Sequence, residues 1–444
     1  MRRKSAAWVM AFLLLVTTAC AGGAGTSNPP AEKPAEKPAA TASETPAASE
    51  EPAAADSEIK GEITWATHRT DFVESGLFDA YVAKFKEKYP NVTDVKIEGL
   101  PDYGQTIRVR MAANEVPDVL SPPDMVLENF PSLYVPLDDL GLKGNIHLEE
   151  TGMYEGKLYT VTSGAGTNGI IYNKKAFAAA GLSGPPKTLD EFWAAAEALK
   201  KAGLVAMNTD FKDGWTAQYY YDIATFLTPD GINYHNLIFK SDPPLQIDGP
   251  IGQGLGVLKK LIDGGYVEPD LFSTDWEGSI RDIAQGRAGM YFIGQWLLPQ
   301  METTGGGNPA DFGFVPFPYD NSGTYKAVLG GDYHWAVSAT SDNIPTAKAW
   351  VKFLLEESDY ANDSGLLPTL KTRESNIPQL AEFNSFNPTY LPYDPPSQDA
   401  TKVEQHMQFD AIKFMQEAVT SPDMAAVFDA YGKKYADAKK SLGF

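Results

Sequence analysis

From residue 59 to residue 444 the chain is an even mixture of apolar and polar residues, over a length that exceeds what a single hydrophobic core accommodates. Two lobes are therefore expected. Cys20 is the only cysteine among the 444 residues, so no disulfide can form within the chain and stability must come from burial.

Cys20 also has an informative setting. Met1-Arg2-Arg3-Lys4 precedes an apolar run over residues 6–16, and Val16-Thr17-Thr18-Ala19-Cys20-Ala21-Gly22-Gly23 follows. A basic start, a short apolar stretch and small residues at the cut are what a bacterial export signal requires, and the run is too short to span a bilayer. The segment resembles a lipoprotein signal, which implies that residues 1–20 form the signal peptide and that Cys20 takes the lipid and becomes the mature N-terminus. The plainer alternative is ordinary secretory cleavage nearby with an idle thiol, since Thr17 stands where such signals more often carry Leu.

Residues 21–57 are almost wholly Ala, Pro, Glu, Lys, Ser and Thr, with the near repeat Ala31-Glu32-Lys33-Pro34-Ala35-Glu36-Lys37-Pro38. Such a stretch has no large apolar side chains to offset the entropy of ordering, and it reads as an extended, disordered tether of roughly 3 Å per residue. The net charge of −21 and the pI near 4.7 argue against nucleic acid or anionic lipid as partner. Contact with a membrane is expected through the anchor alone.

Beyond the tether, short apolar strands alternate with amphipathic helices. Glu62-Ile63-Thr64-Trp65-Ala66-Thr67 alternates like a strand, and residues 76–89 put Leu77, Phe78, Tyr81, Val82 and Phe85 on one helical stripe. Val95-Lys96-Ile97 and the end of Val116-Pro117-Asp118-Val119-Leu120 give two more strands, a rhythm that predicts a parallel α/β lobe. Gly169-Ile170-Ile171-Tyr172-Asn173, Met290-Tyr291-Phe292-Ile293 and Trp335-Ala336-Val337 read as later strands. Thr188-Leu189-Asp190-Glu191 is a capping box opening a helix that stops at Gly203, with Thr188 and Glu191 expected to satisfy each other's amides. Residues 346–355 are predicted helical, and the C-terminal part is predicted helical over 402–419 and 423–440.

Several of these blocks together resemble the extracellular solute-binding proteins of ABC importers, in the branch that includes the maltose-binding protein. The matching residues are Phe85-Lys86-Glu87-Lys88-Tyr89-Pro90, Pro117-Asp118-Val119, Tyr154-Glu155-Gly156-Lys157-Leu158-Tyr159, Tyr172-Asn173-Lys174-Lys175-Ala176-Phe177 and Pro186-Lys187-Thr188-Leu189-Asp190-Glu191-Phe192. Residues 286–296, Gly330-Gly331 and Trp335-Ala336-Val337-Ser338 complete the set. The resemblance covers the mature chain and rests on the order and spacing of motifs that are each weak alone. It implies an α/β, two-lobed, periplasmic-binding-protein-like fold with a hinge and a cleft that closes on ligand. The lobes would be discontinuous, the N-lobe from 58–168 and 330–368 and the C-lobe from 169–329 and 369–444.

Sugar rings present apolar faces that stack on indole and phenol, while their hydroxyls need polar partners. Trp296 closes Met290-x-x-x-Gly294-x-Trp296 at the end of a strand, where the resemblance implies a ligand-stacking tryptophan. Trp215, in Asp213-Gly214-Trp215-Thr216 with Tyr219 and Tyr220 after it, divides evenly between platform and core. Trp65 and Trp193 read as core. Open α/β sheets bind ligands beyond the carboxyl ends of their strands, which selects His68, Arg69, Asp71, Ser121, Asp124, Gly166, Thr167, Asp332 and Tyr333 as candidate ligand-binding residues. Each has a plain alternative as a turn or cap, Asp71 as the cap of the helix near Gly76.

The five histidines are scattered, there is no His-Glu-x-x-His spacing, no cysteine pair and no Gly-x-Ser-x-Gly elbow, so neither a metal nor a nucleophile site is supported, and no cofactor is expected. Gly252-x-Gly254-x-Gly256 has no preceding strand and reads as a flexible helix start. The sequence as a whole leads to a monomeric, lipid-anchored receptor on the cell surface, on the outer face of a Gram-positive cytoplasmic membrane. It would capture a carbohydrate, an oligosaccharide foremost, for an ABC permease. The rivals are a surface glycoside hydrolase, for which two carboxylates suffice, and a binder of peptides or of sulfated or uronic sugars.

Overall fold

The computed structural model describes residues 57–391 and 394–444, so the signal peptide, Cys20 and nearly all of the tether lie outside the described residues. In chain order the strands are β1 (Gly61–Thr67), β2 (Val92–Gly99), β3 (Val119–Leu120), β4 (Met153–Tyr154), β5 (Lys157–Leu158), β6 (Thr160–Thr162) and β7 (Ala165–Asn173). They continue with β8 (Val205–Asn208), β9 (Ala288–Gly294), β10 (Phe312–Val315), β11 (Lys326–Gly331), β12 (His334–Val337) and β13 (Thr389–Leu391). Two sheets hold most of them. The first has the order β2-β1-β3-β12-β6; the second runs β13-β11-β7-β9-β8, with β10 also paired to β7.

Each sheet has its own core, because each carries apolar residues on faces that helices cover. Around the first sheet, Trp65 meets Phe78, Trp350 and Trp335 edge to face, at 4.8, 5.7 and 6.2 Å between ring centroids. The helix Leu77–Lys88 supplies Phe78, Tyr81 and Phe85 to this core from a single stripe, and Ile344–Glu356 covers the sheet as well. Around the second sheet, the helices Leu189–Lys201, Tyr220–Leu227, Pro250–Asp263, Ala411–Thr420 and Met424–Leu442 bury a larger core that includes Phe192, Tyr220, Leu255, Phe292, Phe414 and Tyr435.

The chain crosses between the sheets three times. Residues 163–164 join β6 to β7, Asp332 and Tyr333 join β11 to β12, and the segment around Leu366 and Leu367 returns to the second sheet. The crossings are bonded to one another: Ser163 N–H donates to the Tyr333 carbonyl (2.7 Å), Asp332 N–H to that of Gly164 (2.9 Å), and Ala165 and Leu367 exchange both backbone bonds (2.9 and 2.8 Å). Three short links bonded to one another can bend without breaking either core, which is the mechanical requirement of a hinge.

Four local expectations change. The first sheet pairs in parallel only across β2, β1 and β3, since β12 enters from the crossing, between β3 and β6, and runs against both. At Thr188 the hydroxyl does accept the Glu191 N–H (3.2 Å), but the Glu191 carboxylate takes the N–H of Lys187 (2.7 Å) rather than that of Thr188. The C-terminal helix predicted over 402–419 breaks at Gln408, which is left-handed (φ 52°), and restarts where Asp410 caps Lys413 N–H (2.9 Å). Gly252-x-Gly254-x-Gly256 lies in the first turns of Pro250–Asp263, but packing rather than flexibility explains it: a Cβ on Gly254 would stand 2.7 Å from the Tyr220 carbonyl oxygen.

Candidate functional site

The carboxyl ends of β1 and β9 and the hinge crossing after β11 converge on a cleft of about 920 Å³, at the upper end of the range for small-molecule sites. Its apolar wall comes from the second lobe. Trp215 sits in the loop after β8, Trp276 in the first turn of the helix Trp276–Ala284, and Trp296 directly after β9. Their ring centroids are 5.1 Å (Trp215 to Trp276), 5.7 Å (Trp276 to Trp296) and 5.8 Å (Trp215 to Trp296) apart, tilted by 31° to 54°. The three half-buried indoles thus form one continuous surface, wider than a single ring.

Local chemistry fixes that surface. Gln295 is buried and bolts the end of β9 to the hinge strand, its Oε1 accepting from Thr167 N–H (2.8 Å) and its Nε2 donating to the Ala165 carbonyl (3.2 Å). Gly294 has no side chain, which lets the Trp296 indole fold back over the strand: a Cβ there would lie 2.1 Å from the indole Nε1. Asp275 caps its helix through Gly278 N–H (2.8 Å) and so orients Trp276, which follows it.

The polar wall belongs to the first lobe and the hinge. Arg69, after β1, donates from Nε and Nη2 to the two carboxylate oxygens of Asp71 (2.8 and 2.7 Å) and from Nη1 to the Ser364 hydroxyl (2.6 Å), with its guanidinium 3.4 Å above the Phe72 ring. Burial and the Asp71 pairing act oppositely on Arg69, and the pair stays ionised, Asp71 being held below the usual carboxylate range. His68 stacks on Tyr333 at 3.6 Å and 12°; burial and the adjacent Arg69 push its pKa down to about 3, so the ring is neutral. Asp332, on the hinge crossing, accepts from the Ser163 hydroxyl (2.9 Å), and desolvation raises its pKa.

Of the residues selected from sequence, His68, Arg69, Asp71, Trp215, Trp296, Asp332 and Tyr333 all line this cleft. Asp71 lies within the short helix Thr70–Glu74, and the helix that begins at Leu77 has no side-chain cap from it. Four others do not line it. Ser121 is buried behind Tyr103, whose hydroxyl accepts the Ser121 N–H (2.6 Å); Asp124 is exposed and paired with Arg108 (2.8 Å). Gly166 and Thr167 lie on β7 behind Gln295 and Trp296, their backbones used in strand pairing. The strand-end rule selected an edge of the sheet, and neighbouring side chains cover half of that edge. Sequence reasoning missed Trp276, Ser364 and Gln300. An Asp cap followed at once by Trp was the legible signal for the first; Gln300 lies one turn into the helix Leu297–Thr303 that follows Trp296, and Ser364 reaches the cleft from the first lobe through its bond to Arg69. Among the described residues, no cluster of three or more His, Cys, Asp or Glu side chains could hold a metal ion.

The model of the bacterial extracellular solute-binding proteins matches residues 70–361. The chain belongs to this family. Family members bind solutes rather than transform them. Among curated relatives, the multiple sugar-binding protein of Streptococcus mutans is 25% identical over 283 residues, 62% of this chain and 66% of that protein. The melibiose/raffinose/stachyose-binding protein of Bacillus subtilis is 26% identical over 321 residues, 70% of this chain and 73% of its own length. The chain thus spans just under two thirds of the length of the first of these relatives. Among solved structures, an ABC-transporter binding protein of Bifidobacterium animalis subsp. lactis in complex with mannobiose superposes with a TM-score of 0.74 at 24% identity, covering 87% of this chain and 96% of that one. RafE in complex with raffinose gives 0.68 at 19% identity, with 85% and 99% covered. These likenesses establish the two-lobed α/β fold.

Proposed function

We propose that this chain is the substrate-binding lipoprotein of an ABC importer, which captures an oligosaccharide between its lobes and presents it to a membrane permease. The observation that carries this reading is the wall of Trp215, Trp276 and Trp296 in one lobe facing Arg69, Asp332 and Tyr333 across the hinge. Indole faces match the C–H faces of successive sugar rings, and the opposite wall supplies donors and acceptors for hydroxyls. A ligand touching both walls stabilises the closed state by its contacts to each, which is all that capture requires. The sugar-binding names of the relatives support the same class of ligand.

The anchor at Cys20, a monomeric state and a place on the outer face of a Gram-positive cytoplasmic membrane belong to this proposal and rest on the sequence of the signal and tether. A thermal-shift screen of the domain starting at residue 57 against a glycan library tests the central claim. At least one oligosaccharide should raise the melting temperature by mass action and be recovered intact after long incubation. Hydrolysis of the sugar would favour the glycoside hydrolase instead, and a library without a single stabilising glycan would refute the reading.

A further inference from the structure

On the reading of the cleft as an oligosaccharide site, we propose that it selects uncharged sugars and excludes those bearing carboxylate, sulfate or phosphate, with Asp332 as the residue that sets this choice. The argument is one of uncompensated charge. Among the described residues, Arg69 is the cation that lines the cleft, against the carboxylates of Asp71, Glu277 and Asp332. Arg69 is already taken: Asp71 holds it through two bonds, Ser364 through a third, and the Phe72 ring covers one face. Glu277 is paired one turn along its own helix with Arg281 (3.0 Å). Asp332 receives only neutral donors, the Ser163 hydroxyl and the backbone of Tyr333, while Arg69 acts on it from a distance with its charge balanced by Asp71. Tyr219, Tyr333 and Tyr360 complete its surroundings, and burial holds each of these phenols neutral.

The Asp332 carboxyl therefore stands on the hinge crossing at the base of the cleft with no cation bonded to it. Closure over an acidic sugar would place an anion beside it in a space stripped of water, with no free arginine fork of the kind that recognises carboxylate or sulfate. A neutral sugar offers hydroxyl donors, and a charge-assisted bond to Asp332 satisfies both partners. The same contact ties ligand recognition to the crossing segment that must bend on closure.

The test is calorimetry on the purified chain with matched trisaccharides: mannotriose against trimannuronate, galactotriose against trigalacturonate, and cellotriose against cellotriuronate. The wild type should bind at least one neutral member, and its acidic counterpart on the order of 100-fold more weakly or worse; Asp332→Asn, which keeps the shape, should narrow that gap to about 10-fold or less. An acidic trisaccharide that binds the wild type within about 10-fold of its neutral partner would overturn the inference, as would a gap that Asp332→Asn leaves unchanged. Should that variant fail to fold, Asp332→Ser replaces it: the same narrowing of the gap to about 10-fold or less is expected, and a gap left unchanged refutes the charge argument. Absence of binding by all six sugars would instead sink the oligosaccharide reading on which the inference rests.

Discussion

Gly294→Ala is the sharpest probe of the tryptophan wall, because it displaces the Trp296 indole without substituting it. The residue is fully buried in β9, where its backbone faces Asn168 of β7, and its φ is negative, so an alanine there meets no backbone strain. The obstacle is Trp296: the new Cβ would lie 2.1 Å from Nε1 and 2.5 Å from Cδ1, and the indole must retreat by more than an ångström. Since Trp215 and Trp276 stand 5.8 and 5.7 Å from that ring, its retreat opens a step in a surface that sugar rings would otherwise lie across. Loss of one aromatic platform is worth about 2 kcal/mol of binding, or roughly 30-fold in Kd. The fold should lose only about 1–3 kcal/mol from the local overpacking. Calorimetry with the sugar found by screening gives the first quantity and chemical denaturation the second, with Trp296→Ala as reference. If Gly294→Ala binds within about 3-fold of wild type while Trp296→Ala loses about 30-fold, the clash argument is wrong; if neither variant loses affinity, Trp296 is not part of the site.

Three further outcomes follow from the structure. Desolvation raises Asp222, which accepts from Asn168 Nδ2 (2.7 Å), to a pKa of about 7 from its ordinary 3.8. The folded state then holds the extra proton between those values, so stability should fall as pH rises from about 4 to 7, by up to about 4 kcal/mol from this group; Asp222→Asn should flatten that slope in denaturation curves, and an unchanged slope refutes the assignment. Gly254→Ala should destabilise the chain by about 1–3 kcal/mol despite a gain of about 1 kcal/mol in helix propensity, since its Cβ would meet the Tyr220 carbonyl oxygen; a stabilised variant in urea denaturation would show that the two helices are not in that contact. Cys20→Ala should release the mature protein from the membrane fraction with ligand affinity unchanged, and continued retention in detergent partitioning would rule out the lipid anchor.

What the sequence determined by itself is whatever depends on neighbours a few residues away. The stripe of Phe78, Tyr81 and Phe85, the cap at Thr188, and the strand ending in Gly294-Gln295-Trp296 were legible because side-chain period and capping chemistry are local. Core placement of Trp65 followed from its position in an alternating strand. Only the tertiary structure decided which strand-end residues face the cleft. Ser121 and His68 follow parallel strands of one sheet, yet Tyr103 covers the first and leaves the second in the site. It also decided that Trp276 joins Trp215 and Trp296, and that Asp71 pairs with Arg69 while Asp332 bonds only to the Ser163 hydroxyl and the backbone of Tyr333. Those facts rest on contacts between residues scores of positions apart, on where each crossing brings the chain back, and on how much water each group loses there; none of the three is a property of a short stretch of sequence.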